Sequence, residues 1–289
     1  MNVSIIIPTL NSPIINQTLA SLLEQTCFEQ IAEILVIGLD EPGLVRERNP
    51  VKFISTGRPA LSPVSRNIGI RHARGNLLVF IDADCVATPT WLENLLACQA
   101  RGRDVVAGSV SLQTEDYRSL CYNLGLFPDT LATSPAGLRS SASSLNLLVT
   151  SDVIGRVGIF NENLPRSHDV ELSCRIRRVG YDIYFSPSAE LIHLPQLGNW
   201  CMVFDKFYRS GFYSSRVRSN FRDVFDTPWF FDHPLTFILS SPFLIAGTTL
   251  RTFTRNRGML RYLHTAPMLF ACKAAWCLGA SHQIRSSRS

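Results

Sequence analysis

Asp82 and Asp84 stand two residues apart at the end of an unbroken apolar run, Leu77-Leu78-Val79-Phe80-Ile81, in the segment LLVFIDADC. Five apolar residues without alternation suit a short strand buried on both faces of a sheet. A carboxylate at the rim of a core loses hydration and needs a partner, so stability alone does not put two there. Ligands of open α/β sheets bind beyond the carboxyl ends of the strands. Paired hard oxygen donors at that place suit a divalent cation, Mg2+ or Mn2+, that keeps coordination positions for substrate phosphates. A second reading makes the two aspartates the start of a turn, with Thr88 as helix N-cap and Pro89 at the first helical position of TPTWLE. The turn belongs to both readings, and this segment alone does not choose between them.

Holding those carboxylates at a strand end requires an α/β frame, and the chain supplies one. Val3–Pro8 reads as a buried strand ended by proline, and Asn11 and Ser12 as a turn. Ile14–Gln25 has helical spacing with Leu19, Leu22 and Leu23 on one face, and Glu33–Ile37 is a second strand. Strand, helix and strand within about 35 residues make a βαβ unit with a right-handed crossover and a parallel sheet. Val51–Ile54 is a third strand, Ser65–Ala73 a helix feeding the Leu77 strand, and Val105–Val110 a further strand. Residues 114–144 lose periodicity around Pro128, Pro135, Gly137 and a serine-rich run, which suggests a functional or disordered loop. Beyond it, Asn146–Val149 suits a strand and Val153–Phe160 a short helix closed by glycine. Val170–Arg178 suits a helix ended by Gly180, and Asp182–Phe185 and Leu191–His193 suit short strands.

Composition sets the bounds. A chain of 289 residues with 46% hydrophobic and 18% charged side chains folds as a globular protein and has the length for one large domain plus an appendage. Its eight cysteines form no CxxC pair and no zinc spacing, which suggests free thiols in a reducing compartment. No basic, apolar leader opens the sequence, so a cytoplasmic location is expected. From Cys201 onward twelve Lys and Arg face four acids, giving this tail +8 and the rest −3. A basic, apolar tail suits an anionic membrane surface better than nucleic acid, for which no module signature is present.

Three segments resemble, in order and spacing, the family 2 glycosyltransferases of the GT-A fold: VSIIIPTLN at 3–11, SPVSRNIGIRHARGNLLVFIDADC at 62–85, and SHDVELSCRIRRVGYDIYFSPSAELIH at 167–193. The resemblance implies a single Rossmann-like α/β domain with a mostly parallel central sheet over residues 1–200, followed by a helical, apolar and basic appendage over 201–289. It implies inverting transfer of a sugar from a nucleotide-diphosphate sugar, by family habit a UDP-sugar, with Mg2+ or Mn2+. It makes Asp84 the metal ligand, with Asp82 beside the ribose or metal, and Asp169 the base that deprotonates the acceptor hydroxyl. His193 becomes a possible metal or diphosphate ligand, against the alternative of a structural histidine. Pro8, Thr9 and Asn11 would border the nucleotide, and Arg66 and Asn67 the diphosphate. Arg66 has the alternative of a surface helix residue.

Two departures stand out. The family usually has Glu-Asp where this chain has His168-Asp169, and an Asp where it has Gly38; either Asp40 reaches the nucleotide base from a differently shaped loop, or donor recognition has changed. A catalytically silent nucleotide-sugar or glycan-binding protein is therefore the competing reading. A nucleotidyltransferase would want a glycine-rich loop after the first strand, and Pro8-Thr9-Leu10-Asn11 is not one.

In the tail, Leu235–Leu250 and Thr265–Ala280 are apolar runs of 16 residues, short of the ~20 that a spanning helix wants. A two-span hairpin would also put Arg251, Arg255, Arg257 and Arg261 opposite a cytosolic domain, against the positive-inside tendency. Interfacial helices at the cytosolic face of a membrane fit better, with a glycan or lipid-linked acceptor; the alternative is packing of these helices on the body or on a second subunit.

Overall fold

The computed structural model describes residues 2–225, 227–254 and 257–287. In chain order it runs β1 (Val3–Leu10), α1 (Ile15–Leu23), β2 (Ile31–Leu39), β3 (Val51–Ser55), α2 (Ser62–His72), β4 (Leu77–Ile81), β5 (Cys85–Ala87), α3 (Trp91–Gln99) and β6 (Val105–Ser111). It continues with α4 (Tyr117–Leu126), β7 (Gly137–Arg139), β8 (Asn146–Thr150), α5 (Ser151–Val157), α6 (His168–Arg178), β9 (Ile183–His193), α7 (Trp200–Asn220), α8 (Pro234–Thr254) and α9 (Ala266–Ser286). Asp226, Arg255 and Arg288, counted in the charge of the tail, lie outside the described residues.

The chain divides into two compact units. The first, residues 1–111 and 135–194, is built on one mixed sheet of order β3-β2-β1-β4-β8-β6-β9-β5, with β7 on β9. Strands β3, β2, β1 and β4 are parallel, as the βαβ pattern requires; β8 runs antiparallel between β4 and β6, and β9 returns parallel to β6. Ile6, Leu35, Phe80, Leu147, Leu172 and Phe185 share one buried cluster. All five residues of β4 are buried, which is why the sequence does not alternate there.

The second unit, residues 112–134 and 195–289, holds α4, α7, α8 and α9. Its α7 and α9 approach closely: a Cβ on Gly211 would lie 1.9 Å from the Trp276 carbonyl oxygen, and one on Gly279 1.9 Å from that of Tyr208. Leu269, Cys272, Cys277 and Ala280 of α9 are buried, so the second apolar run of the tail is core. Among the described residues no helix is long and apolar enough to cross a membrane.

Four local expectations change. Residues 114–144 contain α4, whose N-cap Asp116 accepts from the amides of Arg118 and Ser119 at 3.1 and 3.2 Å; the flanking prolines and serines obscure a helix of ten residues. The two short strands at 182–193 are one strand, β9, whose register against β6 jumps from Gly108↔Ser186 to Ser109↔Glu190. The bulge takes up Pro187, which has no N–H to give a ladder, and the Ser109 hydroxyl donates to its carbonyl at 2.7 Å. Helix α3 starts after Thr90, not Thr88, because the Thr88 amide and hydroxyl both donate to the Glu190 carbonyl. Strand β1 continues past Pro8 to Leu10; its ladder to β4 has ended by Ile6↔Phe80, so a residue lacking an N–H is tolerated there.

Candidate functional site

Strand β4 delivers Asp82 and Asp84 to its carboxyl end, and the turn between β4 and β5 is fixed atom by atom. The Ala83 carbonyl accepts from the hydroxyls of Ser12 and Thr18, at 2.8 and 3.1 Å, on the loop and helix that follow β1. The Asp82 carbonyl accepts from the Cys85 amide at 3.1 Å, and the Asp84 carbonyl from the Leu194 amide at 2.8 Å. Three consecutive carbonyls are thus held, so the two carboxylates project from a rigid turn. Nothing in the spacing of Ser12 and Thr18 announces this; it follows from β1 and β4 being parallel neighbours.

His193 arrives from the far end of β9. Antiparallel pairing sets Cys85 opposite His193, and this register brings His193 Nε2 to 3.6 Å from Asp84 Oδ2. Ligand atoms of Asp84, Cys85 and His193 lie within 4.8 Å of one another. Cys85 is fully buried, and burial, with the Asp84 carboxylate next to it, pushes its thiol well above the usual range. A thiol is a poor donor to a hard cation, leaving one carboxylate oxygen and one imidazole nitrogen, a donor pair that suits Mn2+ or Mg2+. The residues present therefore fit a divalent cation at Asp84 and His193.

Asp82 is engaged elsewhere. Arg66, 2% exposed on α2, donates through Nη2 to Asp82 Oδ1, and through Nη1 to Ser62 Oγ at 2.5 Å. Burial raises the Asp82 pKa, with the Arg66 guanidinium pulling the other way. The same Nη1 lies 2.9 Å from His168 Nε2. A guanidinium only donates, so His168 must accept through Nε2 and be neutral, its proton on Nδ1. Burial, with Arg66 acting in the same direction, lowers its pKa from 6.5 to about 4, against the opposing charge of Asp169. Phe160 packs edge-on against both Phe80 and His168, with the guanidinium over its ring at 5.7 Å. A chain of contacts thus runs from Asp82 through Arg66 to His168, the neighbour of Asp169.

Asp169 lies in the first turn of α6, half-buried, where the helix dipole favours a carboxylate; its Oδ1 accepts from the Val170 amide at 2.8 Å. The preceding Ser167 has φ of 59°, in the left-handed region where a serine is strained. Glu171 is committed to structure: its two oxygens take Arg175 Nε and Nη2 at 2.8 Å each, and Arg175 also binds carbonyls at the end of α5.

At the ends of β1 and β2, Asn11 ties two loops together. Its Nδ2 donates to Glu41 Oε2 and its Oδ1 accepts from the Glu41 amide, both at 2.9 Å. Pro8 is half-buried and Thr9 buried beside them. Asp40 closes its own turn, accepting from the Val45 amide at 2.7 Å. Gly38, at φ of 148°, pairs with Thr9 so closely that a Cβ would lie 1.8 Å from the Thr9 carbonyl oxygen. No aspartate fits there without moving the backbone. Asn67 does not face the cluster. It is fully buried, with its Nδ2 on the Phe160 carbonyl and Glu162 Oε1 and its Oδ1 on the Phe160 amide. Trp91 is core, donating to Asn146 at 2.8 Å. In the second unit a cavity of about 500 Å³ is lined by Leu112, Thr114, Leu120, Arg261, Tyr262 and His264, none of them a residue singled out for the site.

Residues 4–120 match the family described as Glycosyl transferase family 2. The chain is 28% identical over 196 residues to Glycosyltransferase AglE of Haloferax volcanii. Over residues 4–120, then, the chain is similar to glycosyl transferase family 2. The AglE alignment covers 64% of each protein. A second relative, the Pre-mycofactocin glycosyltransferase of Mycobacterium tuberculosis, is 28% identical over 145 residues, 47% of this chain and 31% of that protein. The chain thus spans less than two thirds of the length of these curated relatives. Among solved structures, the mannosyltransferase PcManGT of Pyrobaculum calidifontis, in complex with GDP-Man and Mn2+, superposes with a TM-score of 0.58. It is 15% identical, and the match covers 94% of this chain and 86% of that one. S. aureus TarS in complex with UDP-GlcNAc gives 0.54 at 15% identity, covering 100% and 92%. These likenesses establish the fold as α/β and GT-A-like, with C-terminal helices.

Proposed function

We propose that this protein is a metal-assisted, inverting glycosyltransferase that moves a sugar from a nucleotide-diphosphate sugar, a UDP-sugar as the first candidate, to a glycan or lipid-linked acceptor. The observation that carries the reading is the convergence of Asp84 and His193 beside Asp82 at the carboxyl end of β4. In this reading the bond between the anomeric carbon and the diphosphate oxygen breaks while the acceptor oxygen attacks the opposite face, inverting the centre. The acceptor's proton passes to Asp169, in the first turn of α6. Asp84 and His193 would hold Mg2+ or Mn2+, which supplies Lewis-acid stabilisation of charge on the diphosphate. Asp82, braced by Arg66, orients the donor's ribose side, and Pro8, Thr9, Asn11 and Asp40 border the nucleotide. Arg66 acts on the diphosphate side through Asp82, and Asn67 by bracing the 160–162 loop. The work is done at the cytosolic face of a membrane.

Transfer and donor hydrolysis measured with Mn2+ test this. Wild type turns over the donor, Asp84→Ala and His193→Ala lose metal dependence, and Asp169→Asn binds donor without turnover. Equal background rates in wild type and Asp169→Asn refute it. They would favour a silent donor-binding protein, the reading that Gly38 and the Arg66-engaged Asp82 make the serious competitor.

A further inference from the structure

Helix α8 of the second unit is two-sided in an unusual sense, because both sides are apolar. Phe237 and Ile245 are buried and pack with Cys277, Ala280 and Ile284 of α9. On the other side Leu235 is 73% exposed, Leu239 74%, Phe243 81% and Leu250 63%. At 3.6 residues per turn these four fall within an arc of about 80° and span about 22 Å along the axis. Trp229, in the short 3-10 turn before the helix, is also 73% exposed. Arg251 is exposed one residue after Leu250. Exposed singly, such side chains mean little; aligned in one stripe they mark an interaction surface.

Charge identifies the occupant. Between His233 and Ser289 there are seven Lys and Arg and no Asp or Glu. A second copy docked on this face would set two such acid-free segments against each other, with no carboxylate between them to answer the exposed Arg251, and a nucleic acid offers no apolar surface to the stripe. A bilayer leaflet carrying anionic lipid offers both an acyl region for Leu235, Leu239, Phe243 and Leu250 and negative headgroups for the arginines. Tryptophan is the side chain that settles at the headgroup level, where Trp229 would lie. Pro242 removes a helical N–H, and the Ser240 and Ser241 hydroxyls in the turn before it donate to the carbonyls of Thr236 and Phe237.

We propose that α8 lies in the plane of an anionic membrane, its Leu235–Leu239–Phe243–Leu250 stripe inserted and Arg251 and Arg261 on the headgroups. The proposal deepens the lipid-linked-acceptor reading, from which it inherits the membrane face, yet it is read without turnover. The test is co-sedimentation with vesicles of phosphatidylcholine alone and with one-third phosphatidylglycerol. Wild type is expected to partition onto the anionic vesicles. Leu239→Glu/Phe243→Glu, checked for an unchanged melting profile, should bind on the order of tenfold or more weakly. Arg251→Gln/Arg261→Gln should lower binding to anionic vesicles only. The proposal is overturned if wild type stays in solution, if the Glu pair binds as wild type does, or if the Arg pair makes no difference. It is equally overturned if wild type is a dimer without lipid and the Glu pair a monomer. Loss of vesicle binding with transfer to a soluble acceptor intact fails this surface alone; vesicle binding with no transfer fails the catalytic reading alone.

Discussion

His168 makes a quantitative demand on the pH dependence of stability. It is 8% exposed, neutral, and receives the Arg66 guanidinium at 2.9 Å. Its folded pKa is about 4 against an ordinary 6.5. Because the folded value is depressed, the unfolded chain takes up a proton first as pH falls, and stability drops on the way from 7 towards 4. Linkage over that gap gives a loss of about 2 kcal/mol between pH 7 and pH 5, rising to about 3 kcal/mol below pH 4. His168→Gln keeps an acceptor for Arg66 and cannot titrate, so its profile should be flatter than wild type by about 2 kcal/mol over the same interval. Carboxylate contributions are common to both and cancel in the comparison. Urea unfolding read from Trp91 isolates the first unit once Trp200, Trp229 and Trp276 are replaced by Phe, because these lie in the second. Parallel profiles for the two proteins between pH 7 and 5 would show that the Arg66–His168 contact does not hold the imidazole neutral, and the argument would fall.

Calorimetry with Mn2+ should show binding to wild type and its loss in Asp84→Ala, while Cys85→Ser keeps it, since the buried thiol is not a donor to a hard cation. Ser12→Ala/Thr18→Val frees the Ala83 carbonyl and should weaken that Mn2+ binding severalfold with the fold intact by circular dichroism; unchanged affinity would mean that the turn holds itself. Arg66→Ala strands Asp82, still a third exposed, and should cost about 2–3 kcal/mol of unfolding free energy in denaturant titration. Gly38→Ala forces a Cβ into the Thr9 carbonyl and should cost on the order of 2–4 kcal/mol by the same measurement.

The part of the site carried by one strand end was legible in the sequence, and the part carried by pairing was not. Non-alternating β4 and the two aspartates after it gave the location, because a buried parallel strand has a periodicity of its own. That His193 reaches Asp84 depends on the register of β5 on β9, and β9 was hidden by Pro187, which looks like a break and is a bulge. Arg66 was singled out as a phosphate ligand or a surface residue; it is not on the surface, since α2 turns it inward to Asp82 and His168. His168 departs from the family's usual Glu, and only the buried guanidinium beside it explains why a neutral acceptor suits that place. In the tail, the two apolar runs look alike in sequence, yet α9 is packed and α8 keeps an exposed stripe. Hydrophobicity states that a face must be covered and not by what.

Residues 112–134 belong with the second unit although they lie between two parts of the first. The chain therefore changes unit three times, after residues 111, 134 and 194, and no single cut separates the two. A truncation at residue 194 would keep α4 and remove α7 and α9, which pack against it, leaving a helix without its own unit. Vectorial synthesis meets the same problem. Roughly 140 residues emerge between the end of α4 and the start of α9, about 7 to 30 s at ordinary ribosomal rates. Through that interval Tyr122 waits for Cys272 of α9, and α4 is where a chaperone would be expected to bind the nascent chain.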